Sequence, residues 1–464
     1  MRALLVSTYD LGRQPFGLAS PAAWLRREGM DVTCVDAAKD RLVDDEIRDA
    51  SLIAFHLPMH TATRLAAPLI ERARRVNPDA RICAYGLYAP LNADWLRSIG
   101  VSDVVGGEFE AELASIAKRL SAAASEGGKG VGSGQPFAPI EVTRLDRLNF
   151  LVPERDGLPA LARYATLRLA DGATRVTGYT EASRGCRHLC RHCPVVPVYN
   201  GQFRAVPAEV VLADVDRQVA AGAQHITFGD PDFFNGPTHA LRIVERLAAA
   251  HPGLTYDVTI KIEHLLRHRA ALPRLRDTGC LFVTSAVESV DDRVLAFLEK
   301  GHTRADFVEA VEVCRHVGLD LVPTFVPFHP WTTRDGYGDM LETIASLDLV
   351  EHVAPIQLTI RLLIPSGSRM LELDDVQRAI GPFDGRTLAY PWRHADPSID
   401  RLHGDVTSLV GSRLAADRRE LFHAIADAAG SNARLSAPAT RGIARVDEPW
   451  YCCAEPNPDQ LRIV

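Results

Sequence analysis

The chain has 464 residues, 47% of them hydrophobic and 24% charged, with a formal net charge of −7. That is the balance of a globular protein with an ample core, long enough for two or three domains, and it gives no electrostatic ground for binding nucleic acid. No apolar run reaches the ~18–20 residues of a membrane helix, and the start, MRALLVSTYDLG, lacks the apolar stretch and cleavage site of a signal peptide. No membrane association and a cytoplasmic home are expected, where thiols stay reduced. Nine cysteines in such a chain point to metal or catalysis before disulfides.

Residues 1–120 alternate strand and helix. Apolar strand runs stand at 2–8, 31–36, 51–57, 80–86 and 101–107, and in 61–76 Leu65, Leu69 and Ile70 recur at helical spacing. Such βα alternation predicts a parallel sheet covered on both faces, a doubly wound, Rossmann-like domain with ligands beyond the strand C-termini. Residues 121–137 are Gly/Ser-rich and cannot bury a core, so a flexible linker is expected there. Residues 138–177 read as a sparsely structured bridge.

A second βα series follows, with strands at 177–183, 225–229, 255–260, 281–287, 321–327 and 356–363. One helix opens near Pro207, carries Val211, Leu212, Val215 and Val219 on one face and ends at Gly222; another opens with Thr303 as cap and Asp306 three residues on. Six βα units predict a partial (β/α)6 barrel of the TIM type, with its chemistry at the strand C-termini. The expected α/β architecture is therefore a Rossmann-like domain (1–120), the linker (121–137), the bridge and barrel (138–370), and a small C-terminal region (371–464). That last region holds one helix, about 408–430, and a Pro-rich tail, PWYCCAEPNPDQLRIV.

The chemistry concentrates after the first barrel strand, in EASRGCRHLCRHCP. Cys186, Cys190 and Cys193 form C-x3-C-x2-C, and thiolates at this spacing let one loop hold three corners of a [4Fe–4S] cubane, leaving one iron open. Zinc prefers four ligands, and His188 or His192 could supply the fourth; the position after a strand that opens a barrel favours the cluster. Arg184, Arg187, His188, Arg191 and His192 make the loop basic, as either a solvated surface or a setting for an anionic cluster and an acidic electron donor. Cys34, Cys83, Cys280 and Cys314 lie on apolar faces or in strands and read as core.

The cysteine motif, the HITFGDPDFF end of the second strand and the TSAVES end of the fourth resemble the radical SAM superfamily over about 178–370. That resemblance implies S-adenosylmethionine (SAM) chelated to the open iron and cleaved at a C–S bond after one-electron reduction. It implies His192 against adenine, Asp230 (with Asp232 close behind) at the methionyl amine, and Glu288 and Ser289 beside SAM; IPSGS at 364–368 resembles the turn after the sixth strand. Residues 1–120 resemble the cobalamin-binding domain that precedes many such barrels. Its usual histidine is missing from Tyr9-Asp10-Leu11-Gly12-Arg13, so the domain is expected to keep the fold without the cofactor, His56 and His60 being ordinary loop histidines.

Cys452 and Cys453 are adjacent, and a neighbouring pair rarely closes on itself because the small ring strains the peptide. Converging in a turn, two thiolates select soft acceptors. The ending resembles the CUAEP/CCAEP-tail radical SAM proteins, and similar enzymes make the carbon–arsenic bond of arsinothricin by moving the 3-amino-3-carboxypropyl group of SAM onto trivalent arsenic. The expectation is a radical SAM transferase whose tail, through Cys452 and Cys453, presents As(III) at the barrel mouth. Its electron would come from a reducing partner such as flavodoxin or ferredoxin. The rivals are a cobalamin-dependent methyltransferase or 5′-deoxyadenosyl-radical enzyme, and a metalloid sensor or carrier.

Overall fold

A computed structural model describes residues 1–125, 137–413, 416–435 and 442–447. The first domain is built on strands β1 (Arg2–Ser7), β2 (Asp31–Asp36), β3 (Leu52–His56), β4 (Arg81–Tyr85), β5 (Asp103–Gly107) and β6 (Glu141–Arg144). They form one all-parallel sheet in the order β2-β1-β3-β4-β5-β6. Alternate side chains of β1 go to opposite faces: Leu4 and Val6 pack with the helix His60–Val76, Ala3 and Leu5 with the helices Phe16–Arg27 and Glu110–Ser125. The doubly wound expectation stands.

The first sheet reaches further than expected. β6 lies in the segment read as a sparse bridge, and its EVTR is largely exposed, so no hydrophobic pattern announced it. The helix Glu110–Ser125 runs into the start of the Gly/Ser-rich stretch, whose residues 126–136 lie outside the described residues.

The second sheet contains β8 (Thr174–Thr180), β11 (His225–Phe228), β12 (Thr255–Thr259), β13 (Cys280–Glu288) and β14 (Asp320–Phe325), parallel and in chain order. A hairpin strand β7 (Thr166–Arg168) and the short β15 (Arg445–Val446) extend it antiparallel at the edge beside β8. A separate pair, β9 (Ser183–Gly185) and β10 (Phe203–Ala205), flanks the cysteine loop.

The sixth strand expected at 356–363 does not form. Pro355–Thr359 is a 3-10 turn, and only the bridge Phe328–Arg361 marks the place. Pro355 cannot donate to a ladder, and the segment is held instead by Tyr337 Oη donating to the Leu358 carbonyl and His403 Nε2 meeting that of Thr359. The expected C-terminal helix is two, Pro397–Ser412 and Arg418–Ala429, the second capped by Asp417, which accepts from Arg419 and Glu420 N–H.

The helix from Ala208 to Ala220 starts at Pro207. Thr303 and Asp306 form the expected capping box, and Cys314 is buried with Phe307 and Val311. No described helix is long and apolar enough to cross a membrane.

Candidate active site

The cysteine loop is fixed from both ends. Gly185 has φ +73°, and a Cβ there would lie 2.4 Å from the Gln202 carbonyl oxygen and 2.5 Å from the Tyr199 ring, so glycine alone suits the residue before Cys186. Asn235, at the end of the 3-10 turn Phe233–Asn235 that follows β11, accepts from Arg187 N–H at 3.1 Å and donates to the Gly185 carbonyl at 3.3 Å. Within the loop Cys193 N–H donates to the Cys190 carbonyl at 3.2 Å, and Arg191 N–H to the Leu298 carbonyl at 3.0 Å.

Cys186 and Cys190 are buried and Cys193 half-buried, and all three line one cavity. Burial pushes the Cys186 thiol up to about 11, so it stays protonated until a metal displaces the proton. Among the described residues the cysteines join no group of three ligand atoms within 4.8 Å of one another, as the ligands of a single ion would. Neither histidine completes a zinc site with them: His188 turns to Asp232 and His264, and His192 to Glu288. The donor set, three thiols from one loop spread around a cavity, fits a cubane with one corner open.

Glu288 ends β13 in the left-handed region, φ +70°. Its Oε1 lies 3.0 Å from His192 Nε2 and 3.4 Å from Lys300 Nζ, with all three residues buried. Burial would push its carboxyl up, but Lys300 and His192 outweigh that and hold it at about 2. Lys300 is held above its ordinary value against its own burial by Glu288, then by Cys190 and Cys193. Lys261, following β12, places Nζ 3.8 Å from Cys190 Sγ. Two ammonium groups thus face the thiolate corner, a setting that favours an anionic cluster.

His192, Asp230 and Glu288 line the cavity, but Ser289 does not: it faces a separate hollow and accepts from Asp291 N–H at 3.1 Å. Asp230 is committed to the loop, accepting from Ala182 N–H at 2.9 Å and Ser183 O–H at 2.5 Å, while burial raises its carboxyl to about 7. Cys452 and Cys453 lie outside the described residues. Lys261 and Lys300 escaped the sequence reading because neither stands in a motif; Lys261, two residues after β12, is where a search of strand ends would have found it.

The basic loop is not uniformly solvated. Arg184, 6% exposed, meets Glu110 at 2.7 Å, Glu181 at 2.8 Å and Glu108 at 3.1 Å, joining barrel to first domain. Beside it an open cleft is walled by Leu11, His56, Gly86 and Phe109 from the first domain and by Tyr179 and Gly229 from the barrel. Arg13, Pro58, Leu87 and Tyr88 of the first domain also line the cysteine cavity. His56 is not an ordinary loop histidine: it is buried against Tyr85 and Phe109, its Nδ1 without a hydrogen bond. His60 is likewise buried.

Residues 180–344 match the family model of the radical SAM superfamily. The chain is 23% identical over 356 residues to an uncharacterized methyltransferase of Pyrococcus horikoshii, covering 72% of this chain and 74% of that one. It is 28% identical over 166 residues to a tRNA-2-methylthio-N(6)-dimethylallyladenosine synthase of Chlorobium phaeobacteroides, a match to only 36% of that enzyme's length. Among solved structures, the fold is similar to the cobalamin-dependent SAM radical enzyme OxsB with aqua-cobalamin bound (TM-score 0.68, 15% identity, 92% of this chain and 71% of that one). It is also similar to the radical SAM methyltransferase TsrM of Kitasatospora setae with cobalamin and a [4Fe–4S] cluster bound (TM-score 0.58, 18% identity, 75% and 73%). These neighbours give no support to the expectation that the first domain has lost its cofactor.

Proposed function

We propose that the protein is a SAM-cleaving transferase that works between its two domains. Cys186, Cys190 and Cys193 are the cluster ligands, and Glu288, Lys300 and His192 form the polar wall along which SAM lies. When bound, the cluster supplies one electron to the sulfonium of SAM and so breaks a C–S bond. Lys261 and Lys300 offset the negative charge of the thiolates, and Asp230 holds the loop in place. The electron comes from a flavodoxin- or ferredoxin-type carrier. The observation that carries this reading is the shared cavity: the same walls that hold the three cysteines include Arg13, Pro58, Leu87 and Tyr88 from the strand ends of the first domain. An acceptor bound by that domain would therefore lie open to SAM.

For that acceptor the cleft fits a flat, bulky group of the corrinoid class. Its walls are mainly apolar, glycines stand at Gly86 and Gly107, and the unpartnered Nδ1 of His56 lies in its lining. Leu11, Phe109 and Tyr179 would hold such a group, and a corrinoid would supply a cobalt able to carry a methyl group.

A second reading rests on the tail. Cys452 and Cys453 would present As(III), and the 3-amino-3-carboxypropyl carbon of SAM would join arsenic, leaving 5′-methylthioadenosine. Two tethered thiolates hold such a soft, neutral acceptor far better than one.

Mass spectrometry of the SAM products separates these. The reconstituted, reduced protein is assayed with and without cobalamin, and with and without arsenite. S-adenosylhomocysteine that depends on cobalamin supports the first reading; methylthioadenosine with an arsenic-containing amino acid supports the second. No SAM cleavage under any condition would overturn both.

A further inference from the structure

We propose a mononuclear metal site formed by His188, Asp232 and His264, separate from the cysteine cluster and specific for a divalent transition ion such as Zn2+ or Fe2+. One ligand atom from each residue falls in a group within 4.8 Å. His264 Nδ1 lies 2.7 Å, and His188 Nε2 3.4 Å, from the same oxygen, Asp232 Oδ2.

The bonding of these atoms distinguishes the site from an ordinary ion pair. His188 Nε2, Asp232 Oδ2 and His264 Nδ1 are each buried and face only one another: the two nitrogens converge on one carboxylate oxygen at angles poor for a linear hydrogen bond, and no other group among the described residues satisfies them. Asp232 and His264 are themselves more than nine-tenths buried. Three converging lone-pair donors without protons correctly placed between them are expensive to bury and natural around a cation. The other carboxylate oxygen, Asp232 Oδ1, is already used, accepting from Phe234 N–H at 3.1 Å, which aims Oδ2 at the histidines. Behind His188, Glu263 Oε2 lies 3.7 Å from Nδ1, the position of a carboxylate that orients a ligating imidazole.

Two imidazoles and one carboxylate are borderline donors. They suit zinc or ferrous iron, not calcium or magnesium, and leave coordination positions open. The three residues come from different places: His188 from between Cys186 and Cys190, Asp232 from beyond β11, and His264 from the helix Ile262–Arg267 after β12. An ion here would tie the cluster loop to two barrel strands. His188 alone of the three lines the cysteine cavity, so the open positions face the side from which a small oxygen or nitrogen donor can approach.

The test uses cluster-loaded protein and Zn2+ as the probe. Stoichiometric Zn2+ followed by desalting should leave one zinc per chain in addition to the cluster iron. Zinc-edge X-ray absorption should show nitrogen and oxygen neighbours at about 2.0–2.1 Å with imidazole outer shells and no sulfur. His264→Gln and His188→Gln should each weaken zinc binding at least tenfold while iron content is unchanged. Wild-type protein that retains no zinc, zinc bound through sulfur, or zinc affinity unaltered in both variants would overturn the assignment. Where a variant loses iron as well, the wild-type absorption spectrum alone decides.

Discussion

His192 and Glu288 meet at 3.0 Å across 96 residues of sequence, joining the residue before the last loop cysteine to the end of the fourth barrel strand. The same carboxylate oxygen holds Lys300. The contact ties the cluster loop to the wall along which SAM is proposed to lie.

Glu288→Gln keeps the shape and removes the charge, leaving Lys300 facing only the thiolate corner. Loss of hydrogen bonds to a charged group costs about 1.5–3 kcal/mol, so SAM affinity should fall by one to two decades. The cluster spectrum should persist. Titration of reconstituted protein with SAM checks this, and an unchanged dissociation constant would make Glu288 a structural brace only.

Asp230→Asn tests a position where sequence and structure point to different roles. Both its oxygens are occupied by Ala182 and Ser183, so the variant should shed iron to a chelator faster, with about 1–3 kcal/mol lost from the loop. SAM affinity in the fraction still loaded should hold. The opposite pattern, iron retained and SAM affinity reduced, would restore the methionyl-amine role.

Arg184→Met strands two buried carboxylates, Glu108 and Glu110, and the half-buried Glu181. Breaking a buried pair by removing one partner costs about 3–5 kcal/mol, which guanidinium unfolding should register. Arg184→Lys should recover little of it, since one ammonium cannot reproduce the guanidinium fork.

His56 links stability to pH. Burial, then repulsion from Arg184, lowers its folded value to about 3, against an unfolded value of about 6.5. The unfolded chain therefore binds the extra proton across that window. The stability that neutral His56 contributes is complete above about pH 6.5 and is lost as pH falls toward 3, by up to about 1.4 kcal/mol per pH unit. His56→Phe should fit beside Tyr85 and Phe109 and flatten this part of the acid-unfolding curve. An identical curve for wild type and variant would show that His56 is protonated in the folded domain.

The parts of the site readable in sequence were those that stand on one strand end or one loop. The three cysteines sit within eight residues, so local spacing exposed them, while Asp230, two residues beyond β11, and Glu288, at the end of β13, were reached through the resemblance of their strand ends to the family's. Lys300 and His264 carry no local mark, because what they do is fixed by residues 12 and 32 positions away. The resemblance of the TSAVES end to a Glu-Ser pair pointed to Ser289 as well, but the chain turns after Glu288 so that Ser289 lines the neighbouring hollow. The missing sixth strand and the divided C-terminal helix share a cause. Apolar spacing continues through 356–363, and Val406, Val410, Leu421 and Ile425 carry it across the helix break, while Pro355 and the Asp417 cap, which interrupt the elements, add little to that periodicity.

The Arg184 clamp also bears on how the molecule is assembled. Its four charges close one side of the cleft between the domains, and Arg155 adds a second bolt, donating to Gln14 of the first domain at 2.8 Å and to Asp214 of the barrel at 2.9 Å. Sliding one domain against the other would have to break these ion pairs, so the cleft keeps its width whether it is empty or filled, and a ligand entering from its open side meets a preformed space.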